Sequence, residues 1–275
     1  MYLQNIRYQE IQDEIFEKIN KSCNKCGAIS KIKLKKNLHV KRCPRKHCGH
    51  TVSIWENTIF KNSKLSFLKI CAIIDLWILG GKNSLICKIL LISKPTLTRL
   101  FKIVFNVAIP KYYASFKKLG GSNIEVEIDK SKFGKRKYNK GHKVEGVWIF
   151  GMVERSKERK ILVIPVEKRN KKTLTNILLN YVEKDSIILS DCWKAYSDLF
   201  LYFKQHKTVN HTKGFKNDEN GVHTNTIEGN WFAIKSSTPN RCRNIRLVSP
   251  YLLRFMLKRN QNGYELKYLI NLLID

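Results

Sequence analysis

Residues 124–129 read IEVEID and residues 187–191 read IILSD. The first stretch alternates apolar and acidic side chains with period two. Ile124, Val126 and Ile128 therefore share one face of a strand, and Glu125, Glu127 and Asp129 share the other. The second is a short, buried strand that ends in an acid. Each stretch places a carboxylate, Asp129 or Asp191, where a strand gives way to the next segment. If the two strands are neighbours in one sheet, those carboxylates converge. Glu228, in HTNTIEGNWFAIK on what reads as a helix, is the third acid in a candidate position.

Working outward, 144–153 (VEGVWIFGMV) and 161–166 (ILVIPV) are strand-like runs rich in β-branched residues. Residues 171–182 have helical spacing, and 193–203 read as a further helix. Three consecutive strands followed by helix, strand and helix predict an α/β layout with a mixed sheet around one core. Hard divalent cations prefer oxygen ligands, and two of them held by acids can polarise a scissile phosphate. Each acid also has an ordinary alternative: Asp129 as a turn residue, Asp191 as a helix cap, Glu228 as a solvated helix charge.

The charge balance points towards a phosphate-rich partner. The 275 residues carry 52 Lys plus Arg against 22 Asp plus Glu, a formal net charge of +30, and 43% are hydrophobic. That composition supports a globular core, and the self-repelling positive excess is most simply offset by nucleic acid. An AT-rich genome that writes Lys codons freely is the competing explanation. The N-terminal segment lacks the apolar run of a secretory signal. The longest apolar stretch, 70–80, is interrupted by Asp75 and falls short of the roughly 20 residues of a membrane span. A soluble protein is expected, with no membrane partner.

Four of the eight cysteines cluster as Cys23-x2-Cys26 and Cys43-x4-Cys48, the layout of a zinc ribbon, which predicts one structural Zn2+ in a tetrahedral sulfur site. Between the pairs, Ile32, Leu34, Leu38 and Val40 alternate with Lys, as in a short hairpin with one basic face. From 64 to 113 the pattern is helical, with a first helix ending at Gly80-Gly81 and a third opening at Ser93-Lys94-Pro95-Thr96. Helix, turn and capped helix form a helix-turn-helix-like segment that would present Lys94, Thr96, Thr98, Arg99 and Lys102 to DNA.

The strings EIDKSKFGKRKYNKGH, LSDCWKAY, TVNHTKGF, HTNTIEGNWFAIK and VSPYLLRF resemble, in order and spacing, the catalytic domain of Merlin-type DDE transposases and their bacterial insertion-sequence relatives. The resemblance covers about two-thirds of the chain. It implies a ribonuclease-H-like fold in which Asp129, Asp191 and Glu228 hold two Mg2+ or Mn2+ ions. It also implies an enzyme that nicks terminal inverted repeats and joins the freed 3′-OH to target DNA. The partner is then double-stranded DNA, both as repeat and as target site. Because two ends must be handled at once, analogy implies a homo-oligomer on that DNA. Lys135, Arg136, Lys137, Lys140 and Lys235 are expected to contact phosphates alongside Lys94 and Arg99. The family usually places Glu directly after the first Asp, whereas this chain has Lys130, which alternation points away from Asp129.

The expected division is 1–60 for an amphipathic helix and zinc ribbon, 61–115 for a helical DNA-binding segment, and 120–275 for the ribonuclease-H-like part. The place of action is the nucleus in a eukaryotic host, otherwise the cytoplasm or nucleoid. The rival reading is a domesticated or decayed copy that binds DNA without cutting it.

Overall fold

The computed structural model describes residues 2–35, 38–61, 63–134, 146–209 and 224–274. They divide into two units, Met1–Pro110 with Tyr264–Asp275, and Lys111–Gly263.

The first unit starts with helix α1 (Tyr2–Lys18) and a three-stranded antiparallel sheet, β1 (Lys31–Lys35), β2 (Leu38–Arg42) and β3 (Thr51–Ser53), in the order β1-β2-β3. Alternating Lys and apolar residues make β1 the hairpin arm anticipated from the sequence, and Lys33 pairs with Val40 across it. Helices α2 (Phe67–Ile78), α3 (Asn83–Leu90) and α4 (Lys94–Ser115) follow. Ser66 caps α2 by accepting the Lys69 N–H, and Gly80, at φ 98°, takes the left-handed conformation beyond its end. Ser93 accepts the Thr96 N–H at the start of α4. Asp75, which breaks the apolar run of α2, is buried and accepts a 2.8 Å hydrogen bond from the Tyr8 hydroxyl of α1. That bond offsets the cost of burying a polar group among Ile73, Ile74 and Trp77.

The second unit is built on one five-stranded sheet. Its strands are β4 (Glu125–Phe133), β5 (Val147–Glu154), β6 (Ile161–Val166), β7 (Ile187–Asp191) and β8 (Gln205–Val209), in the order β6-β5-β4-β7-β8. β4, β5 and β6 are antiparallel neighbours, while β7 and β8 run parallel to β4 and to each other. This is the mixed sheet expected from the strand and helix order. Helix α5 (Lys171–Tyr181) links β6 to β7, and α6 (Asn225–Ser237) and α7 (Ser249–Gln261) follow the sheet. α6 packs on β4 and β5, and α7 on β6 and α6. Val126, Ile128, Ile149, Met152, Ile188 and Leu189 are fully buried between these layers.

Three differences from the sequence reading have physical causes. Residues 193–203 form two short 3-10 turns, Lys194–Tyr196 and Leu199–Leu201, in place of one helix. Their apolar residues recur at a spacing of three, which serves either kind of helix. Strand β8 (QHKTV) was not anticipated, because a lone Val closes an otherwise polar run at the sheet edge. Helix α8 (Glu265–Ile274) belongs to the first unit although the expected third division ran to 275. Its buried stripe of Leu266, Leu269, Ile270 and Leu273 packs on α2. No described helix is long and apolar enough to cross a membrane.

Ile270 is fully buried. Ile270→Ala is expected to destabilise the zinc-loaded chain by about 2–5 kcal/mol in a urea titration, the usual cost of such a truncation with its cavity.

Candidate functional site

The parallel pairing of β4 with β7 sets Glu127 opposite Leu189. Asp129 and Asp191 each lie two residues further along their strands and so stand side by side, but only Asp191 ends its strand: β4 runs on to Phe133, which leaves Asp129 in mid-strand and not at the strand end expected from the sequence. Glu228 occupies the first turn of α6, the helix packed over β4. The three carboxylates line one cavity of about 210 Å³ together with Ile128 and Thr224.

Alternation along β4 turns Glu127 and Asp129 towards α6, and both are held there. Glu127 is fully buried; one oxygen accepts Arg155 Nε at 2.6 Å and the other accepts the Ile227 N–H of α6 at 2.9 Å. Arg155 also binds Glu125 at 2.9 Å. Two residues on, Asp129 Oδ2 accepts Trp231 Nε1–H at 2.9 Å. Burial raises the Asp129 carboxyl above the ordinary carboxylate range, against the opposing pull of the Lys130 backbone N–H and the Trp231 indole. Trp231 needs room to reach it, and Gly151, the partner of Asp129 across β5, supplies that room. A Cβ on Gly151 would lie 2.6 Å from the Trp231 ring.

The other two acids are also engaged. Asp191 Oδ1 accepts the Trp193 N–H at 3.1 Å, and its Oδ2 forms a 2.6 Å ion pair with Lys130 Nζ. Glu228 accepts the Thr224 hydroxyl at 3.1 Å. The donor set consists of oxygens from three separate elements around one cavity, which suits a hard cation such as Mg2+ or Mn2+. These carboxylates are not drawn together as tightly as the cysteines of the first unit.

Those cysteines are free thiols, and their sulfurs all lie within 4.8 Å of one another, the only such group among the described residues. Cys23 and Cys48 are 3.7 Å apart, and Cys26 and Cys43 3.5 Å. Sulfurs at the corners of a tetrahedron with bonds of roughly 2.3 Å would be about 3.8 Å apart, so the set can hold one zinc ion. The backbone N–H of Lys25 leads in drawing the Cys23 thiol down to about 7, whereas burial pushes Cys43 up to about 12.

Of the basic residues singled out, Lys94 and Arg99 are exposed on α4. Arg99 and Thr96 line a groove of about 630 Å³ with Lys61 and Lys64. Lys235, half-buried on α6, sits 5.4 Å from the centre of the Phe133 ring. Lys135, Arg136, Lys137 and Lys140 lie outside the described residues. Sequence reasoning missed Arg155, Gly151, Thr224 and the bond of Trp231 to Asp129. One signal was available: an acid at a core position of β4, Glu127, demands a buried partner.

Residues 118–252 match the family model described as ISXO2-like transposase domain. A search of curated proteins finds no match. Among solved structures, one described as "Crystal structure of a pre-cleavage Mos1 transpososome" is similar over 74% of this chain and 77% of that chain, at 8% identity and a TM-score of 0.23. So weak a superposition adds nothing to the fold described above.

Three outcomes follow from this geometry. Chelation of zinc is expected to melt the β1–β3 ribbon, since so small a module takes most of its folding free energy from the ion. Because each thiol must lose its proton to ligate, apparent zinc affinity should fall as pH falls, read by competition with a chromophoric chelator. Gly151→Ala should displace Trp231 from Asp129, costing about 1–3 kcal/mol in a thermal melt and quenching whatever activity depends on Asp129.

Proposed function

We propose that this chain, a DDE-type transposase by the family of its residues 118–252, cleaves phosphodiester bonds at terminal inverted repeats and joins the 3′-OH ends to target DNA. Asp129, Asp191 and Glu228 are the acids assigned to two divalent ions, Mg2+ or Mn2+. The observation that carries this reading is their arrangement: carboxylates from β4, β7 and α6 line one cavity inside the segment that matches the transposase model. When bound, such ions activate the attacking oxygen and stabilise the leaving 3′ oxygen. The protein's own part is orientation. Trp231 fixes the Asp129 carboxylate, Trp193 N–H orients Asp191, and Thr224 steadies Glu228.

The charge of +30 supports a DNA partner whose phosphates it offsets. Lys94 and Arg99 on α4 are assigned to duplex contacts, and Lys135, Arg136, Lys137, Lys140 and Lys235 to phosphates beside the acids. Binding should weaken steeply with salt. Action on two ends at once implies a homo-oligomer, in the nucleus of a eukaryotic host or the nucleoid of a bacterial one. A second reading, a DNA-binding copy that no longer cuts, is favoured by the Lys130–Asp191 ion pair.

Labelled DNA bearing the element's inverted repeats, incubated with protein and Mg2+, tests both. Asp129→Asn, Asp191→Asn and Glu228→Gln should each lower cleavage by about a hundredfold or more while binding in a gel-shift assay persists. Cleavage by Asp191→Asn at the rate of the unaltered chain would overturn the assignment, and no cleavage by the unaltered chain would favour the second reading.

A further inference from the structure

Lys130 follows Asp129 directly, yet its charge is spent on Asp191. Its Nζ lies 2.6 Å from Asp191 Oδ2, and its side chain retains only 11% exposure. The same ammonium stands 4.4 Å from the centre of the Trp193 ring and 5.3 Å from that of Tyr196. Tyr196 is buried and Trp193 half-buried, so the ammonium sits between the two aromatic rings and the candidate metal site. The other oxygen of Asp191 already accepts the Trp193 N–H.

We propose that Lys130 is a tethered cation that competes with divalent metal for Asp191 and so sets how much metal the site demands. This rests on the reading of Asp191 as a metal ligand. An ammonium at hydrogen-bond distance and a divalent ion cannot share the lone pairs of Oδ2 on favourable terms, because their charges repel at short range. Lys130 on Oδ2 therefore weakens that oxygen as a metal ligand, and ligation is most favourable when the ammonium has moved off it. The Trp193 and Tyr196 rings already beside the ammonium keep it partly stabilised once it moves off Oδ2, since a cation near an aromatic face retains a favourable interaction.

The test is Mn2+ binding to the zinc-loaded full chain, read from the electron paramagnetic resonance signal of free Mn2+. Lys130→Met keeps an unbranched stem beside the aromatic rings and removes the charge. It should bind Mn2+ about tenfold more tightly than the unaltered chain, as expected for deleting one partly buried competing charge. Lys130→Arg keeps the charge and should show none of that gain. Should Lys130→Met fold poorly by its melting curve, Lys130→Gln takes its place, and the Mn2+-induced rise in melting temperature, larger than in the unaltered chain, is a second readout. Unchanged or weaker binding by the neutral variants, with binding lost in Asp191→Asn, would overturn the role of Lys130 and leave Asp191 as a ligand. Unaltered binding by Asp191→Asn would overturn both.

Discussion

The arrangement of the second unit depends on one buried carboxylate. Glu127 sits near the start of β4 with no exposure, shared between the Arg155 guanidinium and the Ile227 N–H at the start of α6. A carboxylate in that position is costly to bury alone, and breaking such a pair costs about 3–5 kcal/mol. The helix N-terminus contributes as well, because its free N–H groups carry partial positive charge. The result ties α6 to β4 at a fixed register. Ile227 is next to Glu228 and Glu127 is two residues from Asp129, so the bond that satisfies Glu127 also brings those two acids to the same cavity.

Much of this was legible in the sequence, and the reasons are specific. Alternation in IEVEID placed Glu127 and Asp129 on one face; Asp191 does end its strand, whereas β4 continues past Asp129 to Phe133, because the Lys and Ser that follow the acid still pair with β5. The spacing of Cys23, Cys26, Cys43 and Cys48 gave the ribbon cluster because ligand spacing is a local property. The partners were harder to see. Lys130 was read along its own strand, where it points away from Asp129; its ion pair reaches across to β7, and one strand's alternation says nothing about its neighbour's end. Gly151 carries no local signal either, because the space it leaves is taken by Trp231, a residue 80 positions away in sequence.

The scarcity of acids in this chain acquires a structural meaning. Glu125 and Glu127 bind Arg155, Glu154 accepts the Gly120 N–H and the Ser156 hydroxyl, and Asp191 binds Lys130. On and beside the sheet, each of these acids is engaged, two of them by the same Arg155. The positive excess is thus left to surfaces such as the exposed face of α4, where Lys94, Arg99 and Lys102 have no need to serve the core.

The place of α8 bears on the order in which the molecule can form. The first unit draws on residues before Pro110 and after Gly263, with the whole second unit encoded between them. Chains emerge from the ribosome in order, and domains generally fold as they appear. The second unit can therefore close on its own sheet as soon as α7 is made, whereas the apolar stripe of α2 must wait for α8 to cover it. During synthesis the earlier-made unit is the later one to be completed, and the apolar face of α2 is the surface left uncovered longest.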